Sequence, residues 1–146
     1  MTMLNIGILV LDKTLSFSAL GIADIFSLAN SKLDNNLYHC EFISDKQNPK
    51  LSNSNLSLNT TLLTTRKKYD LIIIAPLLDD GYLLASDDVL SWIKRKYSNG
   101  VLMSSVCAGS FLFARANIID DKTVTTHWDM ATRFEYEFPG VNLDSS

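Results

Sequence analysis

Cysteine, histidine and proline are scarce in this sequence: its 146 residues hold two, two and three of them. Two cysteines, Cys40 and Cys107, are too few for the disulfide framework of a small secreted domain, so a reduced, cytosolic compartment is expected. No grouping of His, Cys, Asp and Glu has metal-ligand spacing. A Gly-rich phosphate loop and a G-x-G-x-x-G fingerprint are both missing. Neither a metal nor an organic cofactor is therefore expected. An excess of one charge is lacking too. The formal net charge is −3, and Arg66-Lys67-Lys68 and Lys94-Arg95-Lys96 are the only basic clusters. Each reads as a solvated helix or loop face, because a nucleic-acid footprint needs a broad basic patch. Leu4 to Leu11 is too short to cross a bilayer and has neither the basic flank nor the cleavage site of a signal peptide, so no membrane partner is expected.

What the sequence does have is enough chain for one domain with a sizeable core, and 47% apolar residues. Leu4-Asn-Ile-Gly-Ile-Leu-Val-Leu11 is a nearly continuous apolar run, short and rich in branched residues, as in a strand buried on both faces of a parallel sheet. Ser18 is placed to cap a helix running to about Asn30, with Leu20, Ile22, Ala23, Ile25, Phe26 and Leu28 as its apolar stripe. Tyr38 to Ser44 reads as a strand. Residues 45–65, rich in Asn, Ser and Thr, read as a surface excursion with a short strand at Leu56–Leu58. Asp70 to Ala75 is the clearest buried strand, ended by Pro76. A helix over Asp87–Tyr97 stops at Asn99-Gly100. Val101–Ser105 is another core strand. A helix over Ser110–Ala116, a short strand at Val124–Thr126 and a helix over Asp129–Phe138 complete the order. Strands alternating with helices imply right-handed crossovers and an α/β fold, a three-layer sandwich with a mostly parallel sheet.

The most informative stretch is Leu102-Met-Ser-Ser-Val-Cys-Ala-Gly-Ser-Phe111. A strand runs into a helix with Cys107 at the corner and the small residues Ala108 and Gly109 after it, as in a nucleophile elbow. That geometry lifts the side chain above the carboxyl edge of the sheet, where ligands of open α/β sheets bind. It also sets the sulfur at a helix N-terminus, where the dipole favours thiolate. The competing reading is a small buried hydrophobe. His127, in Val124-Thr-Thr-His-Trp128, follows a short strand and is a candidate to orient Cys107 or to shuttle protons. His39, inside a strand, is read as structural.

Ser105-Val-Cys-Ala-Gly109, Thr125-Thr-His-Trp128 and the Ala116–Trp128 run together resemble the ThiJ/PfpI (class I glutamine amidotransferase-like) superfamily. Ile6-Gly-Ile-Leu-Val10 and Ser18-Ala-Leu-Gly-Ile-Ala-Asp-Ile-Phe26 look like its first strand and helix. The His-Trp pair and the run Asp24–Asn30 are most similar to the branch that forms the N-terminal half of AraC-type transcription regulators. The resemblance implies a flavodoxin-like fold, a ligand-sensing and dimerising role, and a homodimer with Asp24 at its interface. It also implies DNA binding only through a downstream domain outside this chain. Active members carry a carboxylate where this chain has Ser18. They have Pro-Gly-Gly, whose amides help bind an oxyanion, where this chain has Pro76-Leu77-Leu78. They have a hydroxyl residue or His where this chain has Ala108. These departures point away from catalysis and toward a small-molecule effector site formed by Ser18, Leu77, Leu78, Cys107, Ala108 and His127. The alternative is a cysteine-dependent hydrolase, hydratase or amidase using Cys107 with His127. The superfamily's domain continues with a further strand and helix, so residues 1–146 are expected to be an incomplete piece of it.

Overall fold

The computed structural model describes residues 2–33, 36–64 and 66–145. Five parallel strands form one sheet in the order β3-β2-β1-β4-β5, with β1 at Leu4–Leu9, β2 at Tyr38–Ser44, β3 at Thr61–Leu62, β4 at Leu71–Ile74 and β5 at Leu102–Ser105. The central run β2-β1-β4-β5 is the flavodoxin-like order expected. Alternation along the two central strands explains why their sequences read as continuous apolar runs. Ile6, Ile8, Val10, Ile73 and Ala75 pack into one core. Leu9, Leu11, Ile72 and Ile74 pack into the other. Each strand is buried from both sides, so no polar position recurs.

Helix α1 (Ser16–Lys32) covers the first core through Ala19, Leu20, Ile22, Ala23 and Phe26. On the opposite face lie α2 (Asp87–Ser98), α3 (Ser110–Arg115) and α4 (Ala131–Glu137), which contribute to the second core. The α2 boundaries follow their local signals. The Ser86 hydroxyl accepts from Val89 N–H at 3.4 Å, Asp87 and Asp88 occupy the first turn, and Gly100 stands past the end at φ +82°.

Four details differ from the sequence reading. Ser18 does not cap α1: the helix starts at Ser16, and its Leu15 cap makes no side-chain bond. The Ser16 hydroxyl pairs instead with Ser52 Oγ at 2.8 Å, tying the helix start to the polar excursion. That excursion carries its strand at Thr61–Leu62, not at 56–58, and residue 65, its last, lies outside the described residues. The final helix begins as a 3-10 turn at Trp128–Met130. Finally, β6 (Thr123–Val124) does not join the main sheet: it pairs in parallel with β7 (Asn142–Leu143) as a separate two-stranded piece.

Candidate functional site: the Cys107 elbow

Val106 N–H donates to Ile74 O at 3.0 Å, carrying the β4–β5 pairing one residue past β5. The chain then turns at once, and the turn rests on Cys107, whose φ is +57°. A non-glycine residue in this left-handed region is strained, and such strain concentrates at functional corners. Gly109 serves the corner in another way. Its φ is ordinary, but a Cβ there would stand 2.9 Å from Ile74 O. Glycine is what lets the elbow press against β4. Phe111, fully buried, anchors the helix after it, with its ring 4.3 Å from that of Tyr82 and 4.9 Å from that of Phe134. That helix spans only 6 residues, so few peptide dipoles align behind the sulfur.

The Thr125–Trp128 loop docks onto this corner. Ser110 Oγ lies 3.2 Å from Cys107 O and 2.9 Å from Thr126 Oγ1, and Thr126 Oγ1 lies 3.5 Å from the same carbonyl. His127 is the next residue, but its ring is engaged in the loop. Asp129 N–H donates to His127 Nδ1 at 3.2 Å, and the ring lies 5.5 Å from that of Trp128. With Nδ1 accepting, a neutral imidazole carries its proton on Nε2. Among the described residues no hydrogen bond joins Cys107 to His127. The structure thus brings the two segments together through Thr126 and Ser110, residues that the sequence reading gave no role. Hydroxyls on either side of the Cys-Ala-Gly and His-Trp strings were the available signal.

Across the crevice between β1 and β4, the two loops are zipped. Leu15 N–H donates to Pro76 O at 2.8 Å, Leu78 N–H donates to Lys13 O at 2.9 Å, and Thr14 bridges Leu77. Leu77 is 4% exposed and belongs to the second core, Ala108 is equally buried, and Leu78 is partly exposed. Ser18, in the first turn of α1, and Cys107 and His127 are half-buried, and Asp24 stands exposed on α1. A cavity of about 90 Å³ beside the loop is lined by Thr125, Thr126, Trp128, Ala131, Leu143 and Asp144, with Ser145. Among the described residues no group of three or more His, Cys, Asp or Glu side chains converges as metal ligands would.

The doubly wound sheet and the cysteine corner define a flavodoxin-like α/β domain with a nucleophile-type elbow. The chain belongs to the DJ-1/PfpI family, whose sequence profile matches residues 26–140. It is 24% identical over 108 residues to the HTH-type transcriptional regulator CdhR of Pseudomonas aeruginosa, a match that covers 73% of this chain and 32% of that protein. The chain thus spans about a third of the length of that relative. A candidate transcriptional regulator of Vibrio parahaemolyticus superposes with a TM-score of 0.87 at 16% identity, over 99% of this chain and 78% of the other. An AraC family transcriptional regulator from Pseudomonas putida does so at 0.75 and 18%, over 98% and 77%. At these identities the superpositions establish the fold. The resemblance to ThiJ/PfpI proteins, and to the branch found in AraC-type regulators, holds.

Proposed function

We propose that this chain is the ligand-sensing, dimerising N-terminal part of an AraC-type transcription regulator, without catalysis of its own, reaching DNA through a separate downstream domain. The observation that carries this reading is the bond from Leu78 N–H to Lys13 O. One of the two amides standing where active relatives would meet an oxyanion, that of Leu78, is spent inside the fold, and a bonded donor cannot stabilise developing charge. A regulatory relative and a regulator-like fold neighbour support the same reading.

The effector would sit at the mouth of the elbow. Cys107, His127, Leu78 and Ser18 offer partly exposed surface there, while Leu77 and Ala108 contribute from beneath. The second copy would dock on the outer face of α1. Phe17, Ile25 and Leu28 are 72%, 66% and 64% exposed beside Asp24. A surface helix with two apolar faces needs a partner for the second one.

The second reading, a cysteine-dependent hydrolase, hydratase or amidase, is favoured by one feature, the strained and partly exposed Cys107. Cys107→Ser separates the two. Within a full-length regulator that carries the DNA-binding domain, the variant keeps effector-dependent binding to promoter DNA; as an enzyme, it loses turnover. Loss of a hydrolytic activity on this substitution would overturn the regulatory reading. The dimer has its own check: Ile25→Arg should turn the sedimenting species from dimer to monomer.

A further inference from the structure

Arg66-Lys67-Lys68 and Lys96 of the second basic cluster lie more than twenty-five residues apart in sequence, yet they meet in space. Arg66, Lys67 and Lys68 precede β4, and Lys96 lies on the last turn of α2. Together with Tyr69, Asp70, Asn99 and Val101 they line a cavity of about 490 Å³. Asp70 and Val101 immediately precede β4 and β5, so this cavity is at the amino end of the sheet. Cys107 is at the other end, a strand length of about 13 Å away.

Lys96 departs from the sequence reading of a solvated basic face. It is 5% exposed, its ammonium donates to Lys67 O, and it stands 5.6 Å from the Tyr69 ring and 5.4 Å from that of Trp92. A fixed positive charge is therefore built into the wall. Lys67 is matched by Glu41 at 2.7 Å. Arg66 and Lys68 are exposed, and among the described residues neither enters an ion pair. The one carboxylate of the lining, Asp70, accepts Asn5 N–H at 2.8 Å. With Lys67 offset by Glu41, the exposed charges of Arg66 and Lys68 and the buried ammonium of Lys96 face Asp70, the one carboxylate of the lining, which leaves an excess of positive charge there. An anion would relieve it.

We propose that this cavity binds a small phosphate-bearing molecule, held by Arg66 and Lys68 at the mouth against the fixed charge of Lys96. The guanidinium of Arg66 suits a phosphate edge, and Asn99 supplies a neutral amide. Size favours a small molecule: ligand sites run from about 300 to 1,000 Å³. Nucleic acid would need a broad basic surface, and this one is a concave pocket on an acidic molecule. The site is independent of the elbow and of the regulatory reading.

The test is calorimetric titration of the chain with inorganic pyrophosphate at fixed ionic strength, beside citrate and a short DNA duplex. Saturable pyrophosphate binding is expected, weakened about tenfold or more by Arg66→Gln with Lys68→Gln. Lys94→Gln, on the same helix but outside this lining, should leave it unchanged. Absence of pyrophosphate heat, equal binding of citrate, tighter binding of the duplex, or indifference to the double substitution would each overturn the proposal. A regulator that lost its elbow effector would still bind pyrophosphate here, so the two readings fail separately.

Discussion

At the scale of single residues, the elbow depends on two positions that are constrained for different reasons. Cys107 holds a left-handed backbone that L-residues tolerate poorly, worst when branched at Cβ. Gly109 has an ordinary backbone but no room, with Ile74 O waiting 2.9 Å from any added Cβ. Substitution should therefore read out two separate strains. Cys107→Val is expected to destabilise by about 1–2 kcal/mol, and Cys107→Gly to be tolerated better than Val. Gly109→Ala is expected to destabilise by about 1–3 kcal/mol, because the shift must come from backbone and not from a flexible side chain. Urea unfolding of the three variants checks this. A Val variant as stable as the parent would mean that the corner is not strained.

At the scale of elements, β1, β2, β4, β5 and α2 were legible because each carries a local signal, a short apolar run in the strands and a serine cap and an Asn-Gly stop in α2, whereas the two-residue β3 and β7 carry none. The α1 stripe was legible only in part. Leu20, Ile22, Ala23 and Phe26 meet the sheet, but Ile25 and Leu28 point away, since an apolar band wider than the covered face looks the same in sequence whichever side is buried. The start of α1 was misread for a related reason. Ser18 carries the local capping signal, but neither serine caps: the helix already starts at Ser16, whose hydroxyl is held by a partner, Ser52, 36 residues away. The burial of Lys96 and the pairing of β6 with β7 are likewise set by distant chain. So is the zipper between the loops after β1 and β4. Its hinge is Thr14, fully buried, whose Oγ1 accepts Leu11 N–H at 2.8 Å. Thr14→Val should strand that amide and destabilise by about 1–3 kcal/mol, while Thr14→Ser should keep most of the stability. If thermal unfolding shows Val and Ser equivalent, the hydroxyl is not what holds the zipper.

At the scale of the whole molecule, a buried tyrosine hydroxyl bonded to a carboxylate stands near each end of the sheet. Near the elbow helix, Tyr82 Oη donates to Glu137 at 2.9 Å, and burial followed by that carboxylate pushes the phenol up to about 12. Near the basic cavity, Tyr69 Oη donates to Glu41 at 2.5 Å, and burial followed by Glu41 raises that phenol as well. A native pKa above the unfolded value means that the native state keeps its proton longer. The contribution to stability is then complete below about pH 10 and shrinks as the unfolded chain alone ionises. Stability should consequently fall as pH rises from about 10 toward 12. Lys96 works in the opposite sense, because burial lowers its affinity for a proton, but it is common to any two variants compared. The comparison that isolates Tyr82 is therefore with Tyr82→Phe. That variant loses a hydrogen bond and should be less stable by about 1 kcal/mol at neutral pH. It has no phenol to ionise, so its stability should decline less steeply through the alkaline range and the two curves should converge. Urea unfolding at a series of pH values reads this directly. Curves that stay parallel to pH 12 would show that Tyr82 ionises alike in the native and unfolded chains, and its bond to Glu137 would then not couple folding to protonation.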